Sequence, residues 1–416
     1  MIFGKKSQVE TSQGIVGDFL DRGVERIYPS REFLEAKMKR GEPLSMYLGI
    51  DPTGPTLHMG HAIVLKKLRE FQKLGHKVIL LIGDFTGMIG DPTDKLSARK
   101  QLTKEEVLEN SRLYQKQASI FLDFSGSNKA ELKYNSAWLS KMNFGDVINL
   151  ASKMTVDQML KRDMFAKRME ENKPVFIHEF LYPLMQGYDS VAMDVDGEIG
   201  GNDQTFNMLT GRDLMKEMLG KEKFVITMKL LADSSGKKMG KTENNGISLA
   251  DSAEEMYGKV MSWTDGMIVS GFELCTDVLM DDIDAIKKDL ESGANPRDAK
   301  MRLAREIVTV YHGAASAKQA EENFINTFTK GGVPEDIKSV KVPVNTPLVD
   351  VLLREGIVSS KTEFRRLYDE GAITILETGS KIPSPESGAD QSAIIKIDKS
   401  ATYKIGKRRF LKIEEE

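Results

Sequence analysis

The spacing of apolar positions changes several times along the chain, and each change marks an element. Leu44 to Ile50 reads as a buried strand, with Tyr47, Gly49 and Asp51 on one face. Pro52, Gly54 and Pro55 end it. From about Leu57 to Leu74 the spacing becomes helical through Ile63, Val64, Leu68 and Phe71, and Gly75 is the stop. Val78 to Gly83 is again a short apolar run. Strand, helix and strand in succession make a βαβ unit, hence a parallel sheet with its crevice at the C-terminal ends of the strands. Tyr47, Asp51, His58 and His61 fall at that end.

The rest of the chain divides on the same grounds. Residues 1 to about 40 read as a helical lead-in carrying Val16, Phe19, Leu20 and Val24 on one stripe. Gly83 to Pro92 is too rich in glycine to be regular. Thr103 and Glu106 form a capping box that opens a helix to about Leu122. A helical block rich in methionine (Met142, Met154, Met159, Met164, Met169) continues to about Asn172 and reads as an insertion between two halves of an α/β domain. Pro174 ends that block. A helix from about Ile177 to Ser190, another from Thr205 to Leu219 and a strand from Val225 to Leu231 follow. Residues 247–330 are helical in pattern, 331–345 read as a linker, and 346–416 as a small module with basic and acidic residues in balance.

Composition narrows the class. A chain of 416 residues with 40% hydrophobic and 29% charged residues is an ordinary globular protein, of about two to four domains by length. A net charge of −3 supplies no bulk attraction for nucleic acid, so any RNA contact must be local. The single cysteine, Cys275, excludes an internal disulfide or a cysteine-based zinc site and fits a reducing compartment. Met1 to Lys6 lacks an apolar targeting core, and no apolar run reaches membrane-spanning length, so a cytoplasmic protein is expected. His178-Glu179 would suggest a zinc protease, but position 182 is Tyr rather than His.

Candidate chemistry gathers at a few places. His58, Gly60 and His61 at a helix start combine two imidazoles with N-terminal N–H groups, which suits a phosphate. Asp91 either offers a carboxylate to a cation or caps a turn. Lys95 and Arg99 form a cationic lip or a solvated helix face. Tyr182, Gln186 and Asp189 make one polar stripe on an apolar helix, better suited to a pocket than to solvent. Gly200-Gly201-Asn202-Asp203-Gln204 allows close backbone approach beside groups that bind ribose hydroxyls. Ala232 to Thr242 is not a P-loop, since only three residues separate Gly236 from Gly240 and Ser235 stands where the first glycine should be. Its lysines 237, 238 and 241 wrap a triphosphate or are simply solvated.

His58-Met59-Gly60-His61 and Lys238-Met239-Gly240-Lys241-Thr242 together resemble the two signatures of the class I aminoacyl-tRNA synthetases. Tyr47 through Thr53, Gly87 through Pro92, Tyr182 through Asp189 and Gly200 through Gln204 look specifically like the bacterial tyrosyl branch. Ser359-Ser360-Lys361 through Gly371-Ala372-Ile373-Thr374 resembles an S4-type RNA-binding domain, though Phe364 and Asp369-Glu370 depart from its pattern. Gly240 and Thr242 replace the two serines of the second signature, as the tyrosyl branch also does.

The resemblance implies a Rossmann-like parallel-sheet catalytic domain (1–235, helical insertion about 103–175), an α-helical domain (236–330), the linker 331–345 and an S4-like module (346–416). It implies tyrosine activation with ATP, magnesium accompanying the nucleotide, and transfer to tRNA-Tyr by a homodimer joined through the insertion. Tyr47 and Asp189 match the pair that bonds the phenol; Asp91, Tyr182 and Gln186 match the group around the ammonium. Asp51, Thr53, Gly60, His61, Gly201, Asp203, Gln204 and Lys241 match positions around ATP and the adenylate. His58, His61, Lys238, Lys241 and Thr242 match groups that stabilise pyrophosphate, with Lys95 and Arg99 as auxiliaries. Lys361, Arg365 and Arg366 are the expected RNA contacts; no dedicated metal site is expected. A tryptophan-specific synthetase and a catalytically retired RNA-binding paralogue are the alternatives.

Overall fold

The computed structural model describes residues 9–93, 101–160, 163–232, 246–328, 337–378, 380–382, 400–406 and 409–416. The chain forms two compact units, Met1–Ala317 and Lys318–Glu416. Six strands of the first unit are β1 (Val24–Tyr28), β2 (Ser45–Ile50), β3 (Lys77–Ile82), β4 (Glu131–Tyr134), β5 (Gly197–Gly201) and β6 (Phe224–Met228). They make one sheet in the order β1-β6-β5-β2-β3-β4, parallel throughout except for the antiparallel edge strand β1. From β2 the chain builds outward through β3 to β4, and then returns to add β5 and β6 on β2's other side. The order therefore reverses between β2 and β5, the place where an open α/β sheet leaves a crevice.

The βαβ unit forms as its sequence predicts. Its helix, Met59–Lys73, buries Leu65, Leu68 and Phe71 completely; each contributes about 1.5–3 kcal/mol relative to exposure. His58 is its N-cap. The segment that enters this helix is tied to a distant part of the chain. Met59 N–H donates to Ile247 O at 2.9 Å, Leu249 N–H donates to Leu57 O at 3.0 Å, and His58 and Ser248 form an antiparallel bridge.

Several elements differ from their sequence reading. The N-terminal lead-in is two helices, Gln13–Asp21 and Arg31–Met38, separated by β1. The glycine-rich stretch after β3 contains a short helix, Thr86–Ile89. The helix capped by Thr103 ends at Ser111, and a second, Tyr114–Ala118, follows. The block read as wholly helical contains β4, which extends the main sheet. From 247 to 328 the helical pattern holds but breaks at Gly313, whose φ is 82°.

The second unit carries a sheet of β7 (Ser339–Val342), β8 (Ile373–Ile375), β9 (Ala401–Ile405) and β10 (Arg409–Glu415) in the order β7-β10-β9-β8. β7 lies in the stretch read as linker. Helices Leu348–Arg354 and Lys361–Asp369 pack Leu352, Phe364 and Leu367 into a core with Tyr403, Leu411 and Ile413. Glu363 fastens the second helix. It accepts from Ser359 N and Oγ at 2.7 Å and from Arg409 at 2.8 Å. The Ser359 bonds, with Arg409 adding to them, lower its pKa from 4.5 to about 2. A carboxylate depressed in the folded state gives stability that is complete above its unfolded pKa and is lost as pH falls through the folded one. Amide-exchange protection of β9 and β10 is thus expected to fall between about pH 4.5 and pH 2, and the Glu363→Gln substitution should flatten that dependence. An equal acid response in both proteins would remove Glu363 from the account.

Candidate active site

A cavity of about 790 Å³ opens at the reversal of strand order, between the C-terminal ends of β2 and β5. One end is fully buried. Tyr47, in β2, is 0% exposed and Asp189, in the helix Ile177–Met193, is 2% exposed. The Tyr47 hydroxyl lies 2.9 Å from Ser190 Oγ. Asp189 is held at both oxygens: Trp138 Nε1 donates to Oδ1 at 2.7 Å and Asn135 Nδ2 to Oδ2 at 3.2 Å. Burial pushes the Asp189 carboxyl well above the ordinary carboxylate range; Trp138 and Asn135 oppose the shift, and Glu198 and Asp51 add to it. Burial likewise raises Tyr47, with Glu198 and Asp189 contributing, so its hydroxyl stays a neutral donor. Two phenol-competent groups thus share the buried end of the cavity, each with its rotamer fixed from behind.

Polar side chains nearer the opening interlock across elements. Tyr182 donates to Asp51 Oδ2 at 2.8 Å, and Thr86 Oγ1 donates to Asp51 Oδ1 at 2.7 Å. Gly83 permits this: a Cβ there would stand 2.0 Å from Asp51 Oδ1. Gln204 Nε2 donates to Asp91 Oδ2 at 2.7 Å, while Thr93 N and Oγ1 hold Asp91 Oδ1. Asp51 and Gln204, matched to nucleotide contacts, therefore bond Tyr182 and Asp91, matched to the ammonium group. The residues matched to the two groups form one polar seam.

The two histidines stack with ring centroids 3.9 Å apart. His58 Nδ1 accepts from Gly60 N at 3.1 Å, and His61 Nδ1 accepts from His58 N at 3.2 Å. An imidazole that accepts at Nδ1 carries its proton on Nε2 when neutral. The helix cap therefore sets both tautomers and makes each Nε2 a donor beside the helix N-terminus, where an anion is favoured.

Tyr47, Asp51, Thr53, Gly60, Asp91, Tyr182, Gln186, Asp189, Gly201, Asp203, Gln204 and both histidines line this one cavity. Lys95, Arg99, Lys238, Lys241 and Thr242 lie outside the described residues. Lys361, Arg365 and Arg366 are exposed on the helix Lys361–Asp369 of the second unit, where Arg366 pairs with Glu370 at 2.9 Å. Glu179, next to His178, is buried against Arg168 at 2.7 Å. Among the described residues no group of three or more His, Cys, Asp or Glu could hold a metal ion, and no helix is long and apolar enough to cross a membrane. Sequence reasoning missed Thr86, Asn135, Trp138, Ser190, Glu198 and Lys223. Glu198 had a signal: it precedes Gly200 at strand spacing, so both share the face that lines the cavity.

Comparison with known proteins agrees with this geometry. Residues 38–329 match the family described as tRNA synthetases class I (W and Y). A tyrosine–tRNA ligase of Carboxydothermus hydrogenoformans is 46% identical over 411 residues, 95% of this chain and 97% of the relative. One from Thermotoga maritima is 44% identical over 95% of this chain and 96% of the relative. A C-terminally truncated Aspergillus nidulans mitochondrial tyrosyl-tRNA synthetase shares the fold at TM-score 0.64 and 23% identity, over 76% of this chain and 94% of that one. The signatures, the sheet order and near full-length likeness lead to one assignment: this chain belongs to the class I tRNA synthetases of the tryptophan and tyrosine family, among the tyrosine–tRNA ligases.

Proposed function

We propose that the cavity activates L-tyrosine with ATP and that the enzyme then charges tRNA-Tyr. The observation that carries the reading is the pairing of Tyr47 and Asp189 at the buried end with the histidine-capped helix N-terminus towards the other. The tyrosine carboxylate attacks the α-phosphorus; an O–P bond forms, the bond to the β,γ-phosphates breaks, and pyrophosphate leaves. A carboxylate at neutral pH needs no general base, so the protein's part is alignment and stabilisation of developing phosphate charge. His58 and His61 donate to that charge, joined by Lys238, Lys241 and Thr242, with Lys95 and Arg99 as auxiliaries. Asp91, Tyr182 and Gln186 hold the ammonium; Asp51, Thr53, Gly60, Gly201, Asp203 and Gln204 hold the nucleotide. Magnesium enters with ATP as part of that substrate. The 3′-terminal adenosine hydroxyl of the tRNA then takes the tyrosyl group and AMP leaves.

Amino-acid-dependent exchange of pyrophosphate into ATP, run with all twenty amino acids, tests the reading. Exchange with tyrosine alone is expected; exchange with tryptophan, or none at all, would overturn it. We assign the catalytic domain to 1–235 and the helical domain to 236–330, followed by an S4-like RNA-binding tail with Lys361, Arg365 and Arg366 as contacts. A chain ending at Phe328, before β7, should keep pyrophosphate exchange and lose about tenfold or more in kcat/KM for tRNA, since phosphate contacts by Lys and Arg dominate such binding. Unchanged charging would exclude the tail from tRNA binding. The enzyme is a cytoplasmic homodimer in this reading, supported by exposed Phe144, Ile148, Val156, Met169, Phe176 and Ile177 on the first unit. A monomer in sedimentation would remove that part.

A further inference from the structure

Behind the buried end of the cavity lies a lysine that the reaction does not call for. Lys223 precedes β6 and is 0% exposed. Its ammonium lies 2.5 Å from Glu198 Oε2 and 2.8 Å from Ser190 Oγ, and 5.9 Å from the centre of the Tyr47 ring. The fold makes room for it: a Cβ on Gly211 would stand 2.6 Å from Nζ and 3.0 Å from Ser190 Oγ. Glu198 is the strand neighbour of Tyr47, and its other oxygen accepts from Gln186 Nε2 at 3.1 Å. Ser190 Oγ in turn meets the Tyr47 hydroxyl at 2.9 Å.

A chain of contacts therefore runs from Tyr47 through Ser190, Lys223 and Glu198 to Gln186. Its two ends, Tyr47 and Gln186, both line the cavity. An ammonium can only donate, so Ser190 Oγ accepts from Lys223, and the serine's remaining bonding capacity faces Tyr47. Glu198 needs a cation as well, because a lone carboxylate beside Tyr47 and Asp189 would be a buried unpaired charge. We propose that Lys223 is a positioning residue for tyrosine recognition, orienting Tyr47 through Ser190 and Gln186 through Glu198. The inference rests on reading Tyr47 and Gln186 as contacts to the substrate tyrosine.

The test uses the full-length enzyme, with Tyr47→Phe as the reference. If Tyr47→Phe leaves the tyrosine KM of pyrophosphate exchange unchanged, the underlying reading fails, and this inference with it. With that reference in hand, Lys223→Met should raise the tyrosine KM roughly tenfold to a hundredfold, the scale of a disturbed buried hydrogen bond. The ATP KM should stay near its parental value. Lys223→Met leaves the buried Glu198 carboxylate without its cation, with only Gln186 still donating to it, and so threatens folding. Lys223→Met/Glu198→Gln removes both charges, keeps a hydrogen-bonding group opposite Gln186, and still deletes the donor to Ser190. The double variant is expected to melt near the parental temperature with a tyrosine KM still raised about fivefold or more. A parental tyrosine KM in the folded double variant, or tyrosine and ATP KM rising together, would reduce Lys223 to a structural ion pair and overturn the proposal.

Discussion

In a His58→Asn enzyme, tyrosyl-adenylate should form about 10²–10³-fold more slowly, the range for one lost donor to developing charge. Asparagine is chosen because His58 has two jobs. Its Nδ1 caps the helix by accepting from Gly60 N; in the proposed function its Nε2 donates to phosphate. Asparagine is among the best N-cap residues, so the cap survives and the melting temperature should hold. What is lost is the donor at the position of the imidazole Nε2, which the shorter asparagine amide N–H does not reach. An interaction made only as pyrophosphate charge develops lowers kcat and kcat/KM together and leaves ground-state ATP binding nearly unchanged. Pre-steady-state adenylate formation across a range of ATP concentrations separates the cases. A normal maximal rate would mean that His58 serves the helix alone.

Asp189→Ala should lower kcat/KM for tyrosine by about 10- to 100-fold and narrow the preference over phenylalanine by a similar factor. The warrant is a buried pocket built to bond a hydroxyl: it rejects a ligand lacking that hydroxyl because its own polar groups would stay unpaired. Tyrosine activation is itself the standard illustration of that rule. Here the substitution also leaves Trp138 Nε1 without the carboxylate it satisfies and takes one of two acceptors from Asn135 Nδ2, which keeps Thr86 Oγ1. A loss of melting temperature should therefore accompany the loss of discrimination. Exchange kinetics with both amino acids decide the matter, since an unchanged ratio would remove Asp189 from phenol recognition.

The parts of the fold that the sequence disclosed are those where one physical signal dominates. β2, the histidine helix and β3 carry unbroken apolar runs or a clear helical stripe, and the helix Thr205–Leu219 has the predicted bounds. The missed strands hide for two reasons. β1 and β4 are sheet edges and expose Glu25, Arg26 and Glu131, so neither reads as an apolar run. β5 is Gly-Glu-Ile-Gly-Gly, a poor strand by propensity, yet it lies inside the sheet. Its first glycine is dictated by a neighbour: a Cβ on Gly197 would meet the Phe224 ring at 2.1 Å. The cavity was legible through its lining because Tyr182, Gln186 and Asp189 recur at helical spacing. Its support was not, because Lys223, Glu198 and Ser190 come from three separate elements, and no local pattern links them.

The antiparallel contact between Leu57–Met59 and Ile247–Leu249 has a mechanical meaning. The stretch bearing Lys238 and Lys241 re-enters the described fold beside the histidine cap. At its other end Lys229, just past β6, is fixed by its backbone bond to Gly23. The chain is thus fixed on both sides of residues 233–245, at Lys229 by Gly23 and at Ile247–Leu249 by the segment that enters the histidine helix. Losing the backbone hydrogen bonds at Met59 or Leu249 would release the chain that follows this segment and loosen the entry to the histidine helix with it.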